Sequence, residues 1–252
     1  MTSVGLVLGA GGVVGQAYHA GALCALEREH GWDPRSASII VGSSAGSVTA
    51  TLLRLDVPAS DLAAQAFGWP VSAEGGRVMR TIMPDTDDPL PQPTTRDLFR
   101  PWRAPTAALI ARTVRRPWAF RPEVAAMTLL PKGSVEITDR AARLDAYVGP
   151  RWPEGLWICV ARRTDGARVV LGRAGSPRAS LASAVLASCA IPAYFAPLSI
   201  GGVEYFDGGV HSPTNADVLR NADLDVIVVV SPMSAAPGHL RGADAMLRWS
   251  SM

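Results

Sequence analysis

Cysteine, lysine and aromatic residues are scarce in this chain of 252 residues. Its three cysteines, Cys24, Cys159 and Cys189, lie far apart, each in an apolar run. An odd number of scattered cysteines indicates buried thiols in a reducing compartment rather than disulfides. No pair has metal-ligand spacing, and the four histidines do not cluster with the cysteines, so the sequence predicts neither a metal nor another cofactor.

The chain also lacks a strong net charge and a long apolar run. Its 24 Lys and Arg against 22 Asp and Glu give a formal net charge of +2, and Lys132 is the only lysine. Such a weak charge, without a basic block, argues against nucleic acid as a partner. No apolar stretch reaches transmembrane length, and the N-terminus lacks a signal-peptide pattern. We therefore expect a cytoplasmic protein that meets a membrane only at its surface.

Hydrophobic residues make up 48% of the chain, enough for the core of a single α/β domain over residues 1–252. A strand over 4–8, a glycine loop and a helix over 16–29 open the chain. A second strand over 38–41 leads through a tight turn into another helix. Further runs predict strands over 156–161, 168–171 and 203–206, and a helix over 181–189. The continuous β-branched run over 225–230 predicts a central strand buried on both faces.

The turn after the second strand carries Gly42-Ser43-Ser44-Ala45-Gly46, a G-x-S-x-G pattern. A serine on a sharp strand-to-helix turn is held in a strained conformation with its hydroxyl presented, and small neighbours allow close backbone approach. The pentapeptide alone is weak in a chain with 24 glycines. Its position between a strand and a helix favours Ser44 as a nucleophile over an ordinary turn.

The glycine loop after the first strand allows two functional interpretations. Gly9, Gly11 and Gly15 fit a dinucleotide-binding loop, but that site needs a carboxylate at the end of the next strand, which ends in residues 42–44 instead. Alternatively, the bare amides of Gly11 and Gly12 form an oxyanion hole. A structural turn requires one or two glycines rather than four, so we favour the oxyanion hole.

A serine nucleophile needs a base, and Asp207, followed by Gly208 and Gly209, is the best candidate. A carboxylate on a glycine turn can approach a hydroxyl closely, accept its proton and return it to the leaving group. The alternative is a histidine, as in a Ser–His–Asp esterase of the α/β-hydrolase fold. The late histidines His211 and His239 would serve that mechanism, whereas His19 and His30 precede the nucleophile.

Together these motifs resemble the patatin-like phospholipase family. In order along the chain, the motifs that carry the resemblance are Gly11-Gly12 with Gly15, residues 42–46, and Asp207-Gly208-Gly209. Residues 187–197, Pro213 and Asn215 also look like the family's pattern. The resemblance covers roughly residues 4–67 and 155–231. Two positions depart from it: Ala10 stands where the family usually has glycine, and Val14 where it often has Lys or Arg.

The resemblance implies a three-layer α/β/α patatin-like fold with a mixed central sheet. It also implies a lipid acyl hydrolase, either phospholipase, lysophospholipase or esterase, that works through a Ser–Asp dyad without a cofactor. The implied roles are Ser44 as nucleophile, Asp207 as base, Gly11 and Gly12 as oxyanion hole, Gly42 and Gly46 as supports of the nucleophile turn, and Gly208 and Gly209 as supports of the aspartate turn. A non-catalytic lipid- or nucleotide-binding protein is the remaining alternative.

Residues 68–131 differ in character from the rest, because Pro, Arg and Trp accumulate there. We interpret this segment as a helical cap inserted in the core. Trp102 and Trp118 among arginines are typical of contact with a lipid interface. A packed cap with arginines on its wet face fits the same residues, so both interpretations stay open at this point.

Overall fold

The computed structural model describes residues 2–82, 100–137 and 141–234. The strands are β1 (Val4–Leu8), β2 (Ile39–Gly42), β3 (Leu156–Arg162), β4 (Arg168–Leu171), β5 (Leu198–Ile200), β6 (Val203–Asp207) and β7 (Val226–Val230). The helices are α1 (Gly12–His30), α2 (Ala45–Arg54), α3 (Ala59–Phe67), α4 (Ala73–Ile82), α5 (Ala107–Arg115), α6 (Pro122–Leu129), α7 (Ala141–Val148) and α8 (Leu181–Cys189).

The strands form one mixed sheet flanked by helices, which confirms the predicted fold class. Its order is β5-β6-β3-β2-β1-β7, with β4 paired to β3. β1, β2, β3 and β7 run parallel, whereas β4 and β6 pair antiparallel to β3. The main core packs α1, α2, α3 and α8 against one face, through side chains such as Leu6, Leu23, Ile40 and Leu53. A smaller cluster, with Val7, Val41 and Leu219, covers the opposite face.

β3 determines where the candidate site residues meet. Its residue Ile158 pairs with both Gly42 of β2 and Leu171 of β4, so β2 and β4 lie on opposite sides of β3. Val160 pairs with both β4 and Asp207 of β6, so β6 lies on the same side as β2. The carboxyl ends of β2 and β6 therefore face each other along one edge of β3, about 7 Å apart by the rise of two strand residues.

β7 differs from the prediction of a central strand buried on both faces. Within the described residues it pairs only with β1, and Val226, Ile227 and Val229 are 44–46% exposed. The prediction was wrong because a continuous β-branched run is compatible with an edge strand as well as with a central one, provided that the strand pairs in parallel with a core strand. Hydrophobicity alone does not tell how many neighbours such a strand has.

The predicted cap over 68–131 contains α4, α5 and α6 among its described residues. α4 contributes Val78 and Met79 to the main core. By contrast, α5 has no buried residue at all. Trp102 and Trp118 are both exposed. The bounds of the cap stay a prediction, and its turn-rich part over 85–93 lies outside the described residues.

Candidate active site

Ser44 lies in the turn between β2 and α2. Its φ of 52° and ψ of −124° place a non-glycine residue at positive φ, which strains the backbone. The residue is 7% exposed. This is the geometry expected of a nucleophile turn, in which the surrounding structure holds the serine in a conformation that it would not adopt alone.

Close packing explains the glycines on both sides of Ser44. A Cβ added to Gly46 would lie 2.0 Å from the backbone oxygen of Leu8, because α2 begins directly against the end of β1. A Cβ on Gly42 would lie 2.6 Å from the oxygen of Gly46. Backbone atoms cannot yield as the end of a flexible side chain would, so the turn accommodates only glycine at these positions.

Hydrogen bonds from α8 and α2 hold the backbone of Ser44 on both sides. Its amide donates to Oγ of Ser188 at 2.9 Å, and that hydroxyl donates to the carbonyl of Cys159 in β3 at 2.8 Å. Its carbonyl accepts from Oγ of Ser47 at 2.7 Å. Sequence reasoning assigned no role to Ser188, because a serine in a helix of small residues carries no motif of its own.

Asp207 ends β6 and is buried next to the nucleophile turn. Its amide donates to the carbonyl of Ala190 at 3.0 Å, and its Oδ1 accepts from the amide of Gly209 at 2.7 Å. Burial raises the pKa of the carboxyl to about 6, while hydrogen bonding with the Ser44 side chain and the Gly209 amide opposes that rise.

Asn215 connects the serine turn with the aspartate turn. Its buried amide group donates to Oγ of Ser43 at 2.9 Å, to the carbonyl of Gly208 at 3.1 Å and to that of Ser212 at 2.8 Å. Its own Oδ1 accepts from Arg168 at 3.2 Å. The backbone at Asn215 is left-handed, with φ of 54°, a conformation that asparagine tolerates better than most residues.

The glycine loop lies between these two turns. A Cβ added to Gly15 would lie 3.6 Å from that of Ala45, and one added to Gly209 would lie 2.7 Å from the Cβ of Ala10. The loop leads into α1, whose first residue, Gly12, has φ of 59°. Within the described part of the chain, the amides of Gly11 and Gly12 have no backbone acceptor. Two bare amides at a helix N-terminus are suited to bind a developing negative charge.

The histidines lie elsewhere. Nδ1 of His211 contacts the carbonyl of Gly166 at 3.3 Å, and burial, with nearby arginines, lowers its pKa to about 4. His19 is buried beside Thr49, and His30 is exposed at the end of α1. None of these three hydrogen-bonds to Asp207, and His239 lies outside the described residues.

The profile of the family described as Patatin-like phospholipase matches residues 6–220, most of the chain. The chain belongs to this family. The resemblance drawn from the three motifs is thereby confirmed, and the protein is a member of a family of lipid hydrolases. A search of curated proteins found no match.

The described residues contain no group of three or more His, Cys, Asp or Glu side chains that could hold a metal ion. No helix among them has both the length and the apolar character needed to cross a bilayer.

Proposed function

We propose that this patatin-like protein hydrolyses carboxylic ester bonds of lipids through an acyl-enzyme on Ser44, with Asp207 as general base and acid. The observation that supports this most strongly is the convergence on one point of a strained serine and a buried carboxyl with a raised pKa. Strongly perturbed carboxyl groups beside a nucleophile are typical of catalytic sites.

The raised pKa suits both roles of Asp207. An ordinary carboxylate is too weak a base to take a proton from a serine hydroxyl efficiently. A carboxyl with a pKa of about 6 is still mostly ionised near neutral pH, and it is more basic than an exposed aspartate. The same group, once protonated, is a usable acid for the leaving alcohol.

The reaction takes two steps. Oγ of Ser44 forms a bond to the ester carbonyl carbon as Asp207 accepts the hydroxyl proton. The tetrahedral intermediate then collapses, the ester C–O bond breaks, and Asp207 donates the proton to the leaving alkoxide. In the second step Asp207 takes a proton from water, whose oxygen attacks the acyl-enzyme. That proton returns to Ser44 as the carboxylic acid leaves.

The amides of Gly11 and Gly12 are proposed as the oxyanion hole for both tetrahedral intermediates. They lie in the loop between the serine and aspartate turns, and within the described residues neither amide donates to a backbone acceptor. A single oxyanion donor typically contributes about 3 to 4 kcal/mol to transition-state stabilisation. Val14, two residues further on, is exposed where the family often has a cation, so this loop itself brings no positive side chain to a phosphate group.

The proposal is tested by turnover of a chromogenic acyl ester and of a panel of phospholipids and lysophospholipids, with products identified by mass spectrometry. Ser44→Ala and Asp207→Ala should each lose roughly a thousandfold or more in kcat/KM. Ser38→Ala, an exposed serine outside the site, is the matched control and should keep wild-type activity. Full activity in Asp207→Ala would eliminate the dyad and favour a histidine base.

A further inference from the structure

The surface formed by α5 and the short 3-10 helix Pro117–Ala119 exposes large apolar side chains. We call it the α5 surface and define its apolar part as Ile110, Val114 and Trp118, which are 54%, 73% and 81% exposed. Ile110 and Val114 are one turn apart, on the same face of the helix. Most helices in globular proteins are stabilised by packing an apolar face against the core. No residue of α5 is fully buried, and the face that carries Ile110 and Val114 is left uncovered.

Leu109 and Arg112 are half-buried, so the side of α5 that carries them contacts the rest of the fold. The hydroxyl of Thr106 caps the helix by accepting from the amide of Leu109 at 3.1 Å, and it donates to the carbonyl of Thr164. The guanidinium of Arg112 donates to the carbonyl of Asp165 at 2.8 Å. These bonds attach α5 to the β3–β4 turn and leave its apolar face directed elsewhere.

The charge of the surrounding segment has one sign. Residues 100–121 contain no Asp or Glu, and they contain the arginines Arg100, Arg103, Arg112, Arg115, Arg116 and Arg121. Arg115 and Arg116 are exposed directly beside Val114 and Trp118. Apolar side chains next to cations, in a helix of low overall hydrophobicity, are the pattern of helices that lie in the interface of an anionic bilayer.

The α5 surface is attached at the end of the sheet that carries the candidate active site. β3 pairs with Gly42 of β2 at Ile158 and continues to Arg162, so it extends about 13 Å beyond the end of β2 by the rise of four residues. The β3–β4 turn that holds α5 follows directly. A lipid surface bound by α5 would therefore lie at the edge where Ser44 is located.

We propose that the α5 surface docks this protein onto an anionic lipid bilayer. Ile110, Val114 and Trp118 enter the interfacial region, and Arg115 and Arg116 bind the lipid head groups. This deepens the proposed lipid hydrolysis, because it explains how the site reaches a substrate held in a membrane. The docking itself does not depend on turnover. A nucleic acid would be bound by the arginines alone, with no use for an exposed apolar stripe.

The test is co-sedimentation with vesicles of phosphatidylcholine alone and with vesicles that also contain 30 mol% phosphatidylglycerol, in the inactive Ser44→Ala background. We expect binding to the anionic vesicles and little binding to the neutral ones. Arg115→Gln/Arg116→Gln should lower the partition coefficient roughly thirtyfold, at about one kcal/mol for each cation near an anionic surface. Ile110→Ser/Val114→Ser/Trp118→Ser should lower it about tenfold or more.

Two control variants match these changes in charge and size. Arg28→Gln/Arg220→Gln removes the same charge from exposed positions outside the segment, and Trp69→Ser removes another exposed tryptophan. Both should bind as the parent does. Circular dichroism checks that each variant is folded.

Three results would overturn the docking. The first is that the parent does not sediment with the anionic vesicles. The second is that the apolar triple variant binds as strongly as the parent. The third is that the control variants lose as much binding as the α5 variants. Loss in the arginine variant without loss in the apolar one would indicate a general polyanion site instead. Hydrolysis of a soluble short-chain ester, measured with Ser44 intact, tests the proposed function separately and should be unchanged in the α5 variants.

Discussion

The turn around Ser44 and the helix α5 differ in where the unfavourable feature lies: in the backbone of the turn, and in the exposed side chains of the helix. Around Ser44 the backbone is strained, yet its amide and carbonyl are both hydrogen-bonded, and its glycines are pressed against backbone oxygens. In α5 the backbone is an ordinary helix, yet Ile110 and Val114 face solvent. The Ser44 turn is locally strained, and that strain keeps its geometry fixed. In α5 the exposed apolar face lowers stability in solution. Such a face is useful to the protein only if another surface covers it during function.

The largest effect on stability is expected at Gly46. A Cβ there would lie 2.0 Å from the oxygen of Leu8, and both atoms belong to elements fixed by the sheet. Gly46→Ala should therefore lower the free energy of unfolding by about 3 kcal/mol or more, measured by urea denaturation. Gly21→Ala, where an added Cβ meets nothing within 4 Å, is the control and should gain about 0.5 to 1 kcal/mol. A loss below about 1 kcal/mol at Gly46 would contradict this packing.

The next effect is expected at Asn215. Asn215→Ala removes three donated hydrogen bonds and leaves buried acceptors without a partner, at a cost of about 2 to 4 kcal/mol in unfolding free energy. Asn215→Gly relieves the positive φ but loses the same bonds. If the amide group is what matters, the glycine variant should recover only a minor part of the loss. Full recovery in urea denaturation would mean that backbone conformation alone explains the residue.

Asp207 should destabilise the fold at neutral pH. Its pKa is about 6 in the folded protein against 3.8 for the ordinary group, so the folded state holds the proton more tightly. Well below pH 3.8 the carboxyl is protonated in both states and costs nothing. Stability is lost as pH rises through 4 to 6, and above 6 the penalty of the buried charge is complete, about 3 kcal/mol at most.

Asp207→Asn, which mimics the neutral acid, should consequently unfold at a higher urea concentration than the wild type at pH 7.5. The difference should shrink to near zero at pH 3.5. A variant that is less stable than the wild type at both pH values would show that the carboxylate stabilises the fold and that burial does not dominate its pKa.

The smallest effect on stability is expected on the α5 surface. Ile110→Ser, Val114→Ser and Trp118→Ser should each change the unfolding free energy by less than about 0.5 kcal/mol, because these side chains bury little. Leu23→Ala, in the main core, should cost about 3 to 5 kcal/mol in the same measurement. If any of the three lowered the unfolding free energy as much as Leu23→Ala does, the apolar face of α5 would have to pack against the rest of the protein in solution.

Sequence could predict the elements that surround the candidate site because each has a local signal. The strand over 168–171 and the helix over 181–189 are found with those bounds, since apolar runs between turn residues define them. The glycine pattern indicated the turn of Ser44, and the Asp-Gly-Gly pattern indicated the turn of Asp207. Their order along the chain was enough to identify the family.

What sequence could not predict depends on contacts between distant segments. That β2 and β6 end against each other on one side of β3 follows from the register of three strand pairs, which no local pattern contains. The bonds from Ser188 and Asn215 to the serine turn span 144 and 172 residues. The exposure of β7 and of α5 was not predictable for the same reason, because apolar residues alone do not tell whether another element of the fold covers them.

The proposed function requires that Ser44 is the nucleophile and that Asp207 activates it. Its most direct measurement is the rate of covalent labelling by a fluorophosphonate probe as a function of pH, with the labelled residue located by mass spectrometry. We expect labelling at Ser44 alone, rising with pH through a midpoint of about 6, and slowed roughly a hundredfold or more in Asp207→Asn. Labelling of a different residue, or an unchanged rate and pH profile in Asp207→Asn, would contradict it.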